Sequence, residues 1–176
     1  MNLPSDSELH AIVERVVRQT LRGDSPAPLA ARGPLPAPLA AAPPEKGFVA
    51  LAADHGGYAL KQRLKAYLEE LGYAMIDCGT HSTEPVDYPD YARAAAELVG
   101  QGKAWRAIVV DGAGIGSCIV ANKIPGVRAA MCYDHATAVN SREHNDTNVL
   151  TLGAGLLGEA LAREIVQTWL TTPFAG

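Results

Sequence analysis

From residue 46 onward, short runs of consecutive apolar residues alternate with stretches in which apolar positions recur every three or four. The runs are FVALAA (48–53), YAMIDC (73–78), AIVVD (107–111), VRAAMC (127–132) and NVLTLG (148–153), the pattern of strands in a parallel sheet covered on both faces. Helical spacing fills the gaps. Over 57–71, Leu60, Leu64, Tyr67, Leu68 and Leu71 share one face and Gly72 marks the stop. Further helices are expected near 88–101, 115–122, 135–144 and 158–170. This alternation predicts a three-layer α/β domain over 46–176, with right-handed crossovers around a five-stranded parallel sheet. In that architecture ligands gather beyond the carboxyl ends of the strands.

The first 45 residues follow other rules. Residues 5–22 place Leu9, Ile12, Val13, Val16, Val17 and Leu21 at helical spacing, with Glu14, Arg15, Arg18 and Gln19 opposite. Ser5 and Glu8 have the spacing of a capping box, and Gly23 stands where a helix stops. Residues 24–44 hold seven Pro and seven Ala in twenty-one positions, a composition that favours an extended spacer over a core. The expected organisation is an amphipathic helix over 1–23, a linker over 24–45 and the α/β domain over 46–176. The helix either folds back on its own chain or docks on a partner through Leu9, Ile12, Val13, Val16 and Val17. Its three acidic and three basic side chains balance, unlike the basic face of a membrane-surface helix.

Composition narrows the classes. The 176 residues are 48% hydrophobic and 19% charged, with a formal net charge of −4, enough apolar material for one domain's core. No basic cluster interleaved with aromatics marks a nucleic-acid footprint, and no apolar run approaches the ~18 residues of a membrane span. Cys78, Cys118 and Cys132 form no CxxC pair and read as reduced thiols of a soluble cytoplasmic protein.

Chemistry-bearing residues cluster at the predicted strand ends. The first strand runs into Asp54-His55-Gly56-Gly57, the third into Asp111-Gly112-Ala113-Gly114-Ile115-Gly116, and the fifth is approached through Arg142-Glu143-His144-Asn145-Asp146. Gly112, Gly114 and Gly116 before a helix either cradle an anion on backbone N–H groups or make a structural turn. Asp111 at the mouth of a buried strand is a general base, a helix cap or an ion-pair partner. His55 and His144 read alone as hydrogen-bonded loop histidines. With Asp54 and Asp111 they supply the acid and base groups needed to move a proton beside a carbonyl.

Four stretches, ADHGGYALK (53–61), DCGTHSTEPVDYPDYA (77–92), DGAGIGSCIVANKIPGVRAAMCYD (111–134) and SREHNDTNVLTLGAG (141–155), resemble in order and spacing the ribose-5-phosphate isomerase B family, which includes the galactose-6-phosphate isomerase subunits. The resemblance implies a flavodoxin-like (Rossmann-like) sheet and a homodimer, or a dimer of dimers, with active sites at the subunit interface. It also implies aldose–ketose isomerisation of a sugar phosphate through an enediolate, without metal or cofactor. By the same resemblance Asp54 and His55 hold the substrate, Tyr88 lines the pocket, His144 helps open the sugar ring, and Asn145 holds the substrate beside it. The 112–117 loop, with Gly112, Gly114, Gly116 and Ser117, faces the enediolate.

Several positions depart from the family pattern. Many members carry a catalytic cysteine followed by Gly-Thr where this chain has Asp111-Gly112-Ala113, and a second branch uses a glutamate at the position of Ser117. Asp111 is therefore the expected base. An arginine common after the last strand is replaced by Gly155, and the family's further C-terminal arginines are absent, leaving Arg142, Arg128 and Lys123 as possible phosphate contacts or ordinary surface residues. Cys118 is expected to pack on its helix. The N-terminal helix and linker resemble the encapsulation peptides that bring enzymes to shell proteins of bacterial microcompartments. The sequence thus points to a sugar-phosphate isomerase packaged in a microcompartment, or to a catalytically silent relative that scaffolds through its N-terminal helix.

Overall fold

The computed structural model describes residues 47–176, together with Ser7 and Glu14, two exposed helical positions. The docking face on Leu9, Ile12, Val13, Val16 and Val17 and the linker lie outside the described residues. Among the described residues five strands and five helices alternate: β1 (Phe48–Ala53), α1 (Tyr58–Glu70), β2 (Met75–Gly79), α2 (Tyr88–Gly100), β3 (Ala104–Asp111), α3 (Ile115–Ala121), β4 (Ala129–Met131), α4 (His135–Glu143), β5 (Val149–Gly153) and α5 (Glu159–Thr171). The α/β class and the five-stranded, all-parallel sheet are those expected.

Strand alternation explains the two covered faces. On β1, Val49, Leu51 and Ala53 point to one side, where they join Ile108, Val110, Leu150 and Leu152 beneath Leu60, Leu64, Leu68, Ile165, Val166 and Trp169. Ala50 and Ala52 point to the other, against Ala107 and Val109 and the small side chains Ala92, Ala95 and Ala96 of α2. Large residues fill the first layer, whereas alanines on both sides of the second let α2 lie close to the sheet.

The strand order is β2-β1-β3-β5-β4. It differs at one edge from the 2-1-3-4-5 order of flavodoxin-like sheets, because β5 inserts between β3 and β4. Burial follows that order: all five residues of β5, flanked by β3 and β4, are buried, whereas the three of the edge strand β4 are only half-buried. At the resulting free edge the Asn122 side chain substitutes for a neighbouring strand, accepting from the Ala129 N–H and donating to its carbonyl, both at 2.9 Å. That pairing shields part of an exposed strand edge.

Right-handed crossovers put helices of opposite steps on opposite faces. Accordingly α2 packs with α3 on one side, while α5 contacts both α1 and α4 on the other. The chain leaves β1 in one direction and β3 in the other, so a crevice opens between the carboxyl ends of these two strands.

Candidate active site

The loop after β1 lies directly on β3. Asp54 Oδ1 accepts the Gly57 N–H at 2.8 Å, and the Asp54 N–H donates to the Val110 carbonyl at 3.3 Å. A Cβ at Gly57 would stand 2.1 Å from that carbonyl oxygen, so only glycine allows the approach. His55 is exposed and its Nδ1 accepts the Val86 N–H at 3.2 Å. In the neutral ring this places the proton on Nε2. Tyr88, exposed at the start of α2, lies over Gly116, where a Cβ would come within 2.7 Å of its ring.

The loop after β3 is organised around Asp111. Its carboxylate is buried and receives four donors. Oδ1 accepts the Ala113 N–H at 2.9 Å and the Gly114 N–H, while Oδ2 accepts the Ser117 N–H at 3.0 Å and the Ser117 hydroxyl. Gly114 has φ +80°, and its carbonyl accepts from Thr151 Oγ1 at 2.8 Å. Ser117, expected to face substrate, is buried and turned to Asp111 with both its donors. The amides of Gly112, Ile115 and Gly116 are the ones in this loop that Asp111 does not engage. Cys118 packs as expected, its Sγ 3.5 Å from the Ala129 carbonyl.

Asp54, His55, Tyr88 and the 111–117 loop therefore converge at the carboxyl ends of β1 and β3. His144 and Asn145 do not join them within one chain. They follow α4 and precede β5, which places them at the amino end of the parallel sheet, about 15 Å away along a five-residue strand. Sequence order had grouped them with the other strand-end residues, but the end of the sheet to which they belong depends on strand direction. Both are exposed, and Asn145 donates to the Asn140 carbonyl at 3.3 Å.

The cations weighed as phosphate contacts also stand at the amino end. Arg142 donates to Asp146 at 2.8 Å and to the carbonyls of Thr147 and Thr172, and Arg128 donates to Asp146 at 2.7 Å. Partial burial pushes the Asp146 carboxyl up, but hydrogen bonds and charge from Arg142, with Arg128, prevail and hold it below the ordinary range. A groove of about 670 Å³ runs beside these residues along the free edge of β4, lined in part by Arg128, Met131, Thr137, Asn140 and Asn145. It is separate from the crevice between β1 and β3.

Two features had no signal in the sequence. The Val86 N–H that orients His55 is a backbone group, and the hydroxyl partner of Asp111 lies six residues away across a turn. Among the described residues no group of three His, Cys, Asp or Glu side chains is placed to hold a metal ion, and no helix is long and apolar enough to cross a membrane.

Residues 49–176 match the family model described as Ribose/Galactose Isomerase. The chain is similar to the ribose-5-phosphate isomerase B of Escherichia coli, 43% identical over 128 residues that cover 73% of this chain and 86% of that protein. It is also similar to a D-erythrulose-4-phosphate isomerase of Pectobacterium atrosepticum, 40% identical over 129 residues covering 73% and 85% of the two. Among solved structures, Clostridium thermocellum ribose-5-phosphate isomerase B superposes with a TM-score of 0.72 at 48% identity, covering 73% of this chain and 86% of that one.

Proposed function

The chain belongs to the ribose/galactose isomerase family, and from that premise we propose that it interconverts the aldose and ketose forms of a sugar phosphate, such as ribose 5-phosphate and ribulose 5-phosphate, through an enediolate. Asp111 takes the proton from the carbon next to the carbonyl. The electron pair of that C–H bond moves toward the carbonyl oxygen as the enediolate forms; in the aldose-to-ketose direction the hydroxyl proton passes from the C2 oxygen to the C1 oxygen, and Asp111 returns the carbon-bound proton to C1 as the C2 carbonyl forms. The amides of Gly112, Ile115 and Gly116 offer donors to the developing negative charge. Asp54 and His55 hold the polar end of the substrate, and Tyr88 closes the wall. The observation that carries this reading is a buried carboxylate at the carboxyl end of β3, in the crevice where the fold collects ligands.

Nuclear magnetic resonance tests it directly, with ribose 5-phosphate and ribulose 5-phosphate incubated in deuterated water and exchange at C1 and C2 followed beside net conversion. Wild-type protein exchanges and converts, and Asp111→Asn loses both by about 10²–10⁴-fold. A folded wild-type protein that exchanges neither these sugars nor a panel of other aldoses and ketoses would support the silent, scaffolding alternative.

The active unit is a homodimer in which His144 and Asn145 of a second copy complete the crevice. What supports this is their place at the opposite end of the sheet from Asp111. Arg128, half exposed beside them, is the cation that would arrive with them to meet the phosphate.

The helix over 1–23 and the linker over 24–45 package the enzyme in a bacterial microcompartment by docking on a shell protein. Support for this comes from the apolar stripe and the Pro/Ala-rich spacer, both lying before the region that matches the family. Replacing Val13 and Val17 by Glu is expected to abolish co-purification with shell protein while turnover stays unchanged. Retained co-purification would remove this reading.

A further inference from the structure

A carboxylate presents about four lone-pair positions, and in Asp111 four donors occupy them. A base cannot accept a proton through a lone pair that is already filled, so one donor must yield. Three are backbone amides fixed by the fold. Gly114 is pinned by its left-handed φ and by its carbonyl's bond to Thr151, and a Cβ there would meet Gly153 N at 3.1 Å. The Ser117 amide belongs to the first turn of α3, and the Ala113 amide is held in the turn between β3 and that helix.

The fourth donor is the Ser117 hydroxyl, which differs because it can rotate and because its oxygen both donates and accepts. We infer that Ser117 is the positioning residue of the base, holding Asp111 as a carboxylate through its O–H and releasing one Oδ2 lone pair when the proton is transferred. This inference rests on Asp111 acting as the base. For the transfer the Ser117 side chain swings about χ1, carrying its hydroxyl off that Oδ2 position so that the C–H can approach it, and the displaced O–H turns to the carbonyl one turn back on its own helix, as serine hydroxyls do. One hydrogen bond is exchanged for another, no backbone group moves, and the proton's return to the sugar lets the hydroxyl swing back to Oδ2. Both residues are at least nine-tenths buried, Asp111 at 5% and Ser117 at 1% exposure, so water is poorly placed to do the hydroxyl's work. Ser117 thereby acts on the reaction through Asp111 and does not itself touch the sugar.

Steady-state kinetics and C–H exchange in deuterated water test this on the full chain with ribose 5-phosphate, comparing wild type, Ser117→Ala, Asp111→Asn and the double variant. Ser117→Ala is expected to lower kcat about 10–100-fold with KM within about threefold, because uniform binding is untouched. Residual exchange in the double variant should equal that of Asp111→Asn alone, since residues acting as a unit are not additive. Equal losses from Ser117→Ala in both backgrounds, a change confined to KM, or an unchanged kcat would each overturn the inference. Full activity in Asp111→Asn would instead overturn the assignment of the base. Thermal melting establishes that each variant folds, and Ser117→Gly, which also removes the hydroxyl, supplies the same readouts should the alanine variant not fold.

Discussion

Lys61 is fully buried, and its ammonium nitrogen lies 2.6 Å from Asp77 Oδ1, while Lys65 reaches Oδ2 of the same carboxylate at 3.1 Å. These two residues join motifs far apart in the chain: Lys61 ends the stretch ADHGGYALK, and Asp77 opens DCGTHSTEPVDYPDYA. Burial pushes the Asp77 carboxyl up, but hydrogen bonds from Lys61, the Gly79 amide and Lys65 outweigh it and bring the pKa to about 2. A carboxylate depressed in the folded state stabilises the fold above its unfolded pKa of about 4, and that contribution is lost as pH falls through the folded value. Wild-type protein should therefore lose roughly 2 kcal/mol from this group between about pH 4 and pH 2. Asp77→Asn should flatten that part of the acid limb and, by leaving Lys61 buried beside a neutral amide, reduce stability at neutral pH by about 3 kcal/mol. Urea unfolding across that pH range measures both. An acid limb unchanged in the variant would show that other carboxylates dominate. Nothing in the helical spacing around Leu60 and Leu64 distinguishes Lys61 from an exposed lysine, since its burial depends on a carboxylate from another element.

At the level of elements, the last turn of α5 is fastened to β3 by Arg106. This guanidinium is buried, stacks 4.1 Å from the Trp105 ring and 4.9 Å from the Trp169 ring, and donates to the carbonyls of Trp169 at 2.7 Å and Leu170 at 3.0 Å. Burial, with the charge of Arg142 nearby, lowers its pKa to about 9, so it stays protonated at neutral pH. The final carbonyls of a helix lack partners within it and carry partial negative charge, which is why a cation can be buried there without a carboxylate. Arg106→Met keeps much of the apolar stem but leaves those carbonyls without the donor. It should cost about 2–3 kcal/mol, read as a lower urea midpoint with an unchanged slope. A variant as stable as wild type would mean that the stem's packing on the tryptophans, retained by methionine, accounts for the contact. Element limits show the same division between local and distant causes. β1 spans the expected 48–53, whereas β3 begins at Ala104, three residues before its expected start, because Ala104 pairs with Phe48 across the sheet. β4 is shorter than its apolar run, pairing with β5 only over Ala129–Met131.

For the whole molecule, the separation of Asp111 from His144 makes the proposed homodimer testable by complementation. Asp111→Asn and His144→Ala should each be inactive alone. If the site takes Asp111 from one chain and His144 from the other, a heterodimer of the two variants contains one site with both wild-type residues. Dissociating and reassembling an equal mixture should then restore about one quarter of wild-type activity, since half of the dimers are mixed and each has one of two sites intact. No recovery in a mixture shown by mass spectrometry to contain heterodimers would mean that each chain completes its own site, and a His144→Ala variant active on its own would mean that His144 takes no part.

Several features of this protein are determined by the sequence alone. The alternation of apolar runs and helical stripes defined five strands, five helices and an α/β class, because side-chain direction repeats every two residues in a strand and every 3.6 in a helix, whatever lies beyond. The motifs around Asp54, His55 and Asp111 were legible because they stand where those periodic stretches break. Tertiary structure alone decided three further matters. It placed β5 inside β4, since the order of strands is set by how the crossovers pack across the sheet, which no local pattern records. It put His144 and Asn145 at the far end of the sheet, since strand direction is set by the crossovers around them. And it turned Ser117 toward Asp111, since a hydrogen bond across a turn depends on where the backbone brings two side chains, which neither residue's identity records.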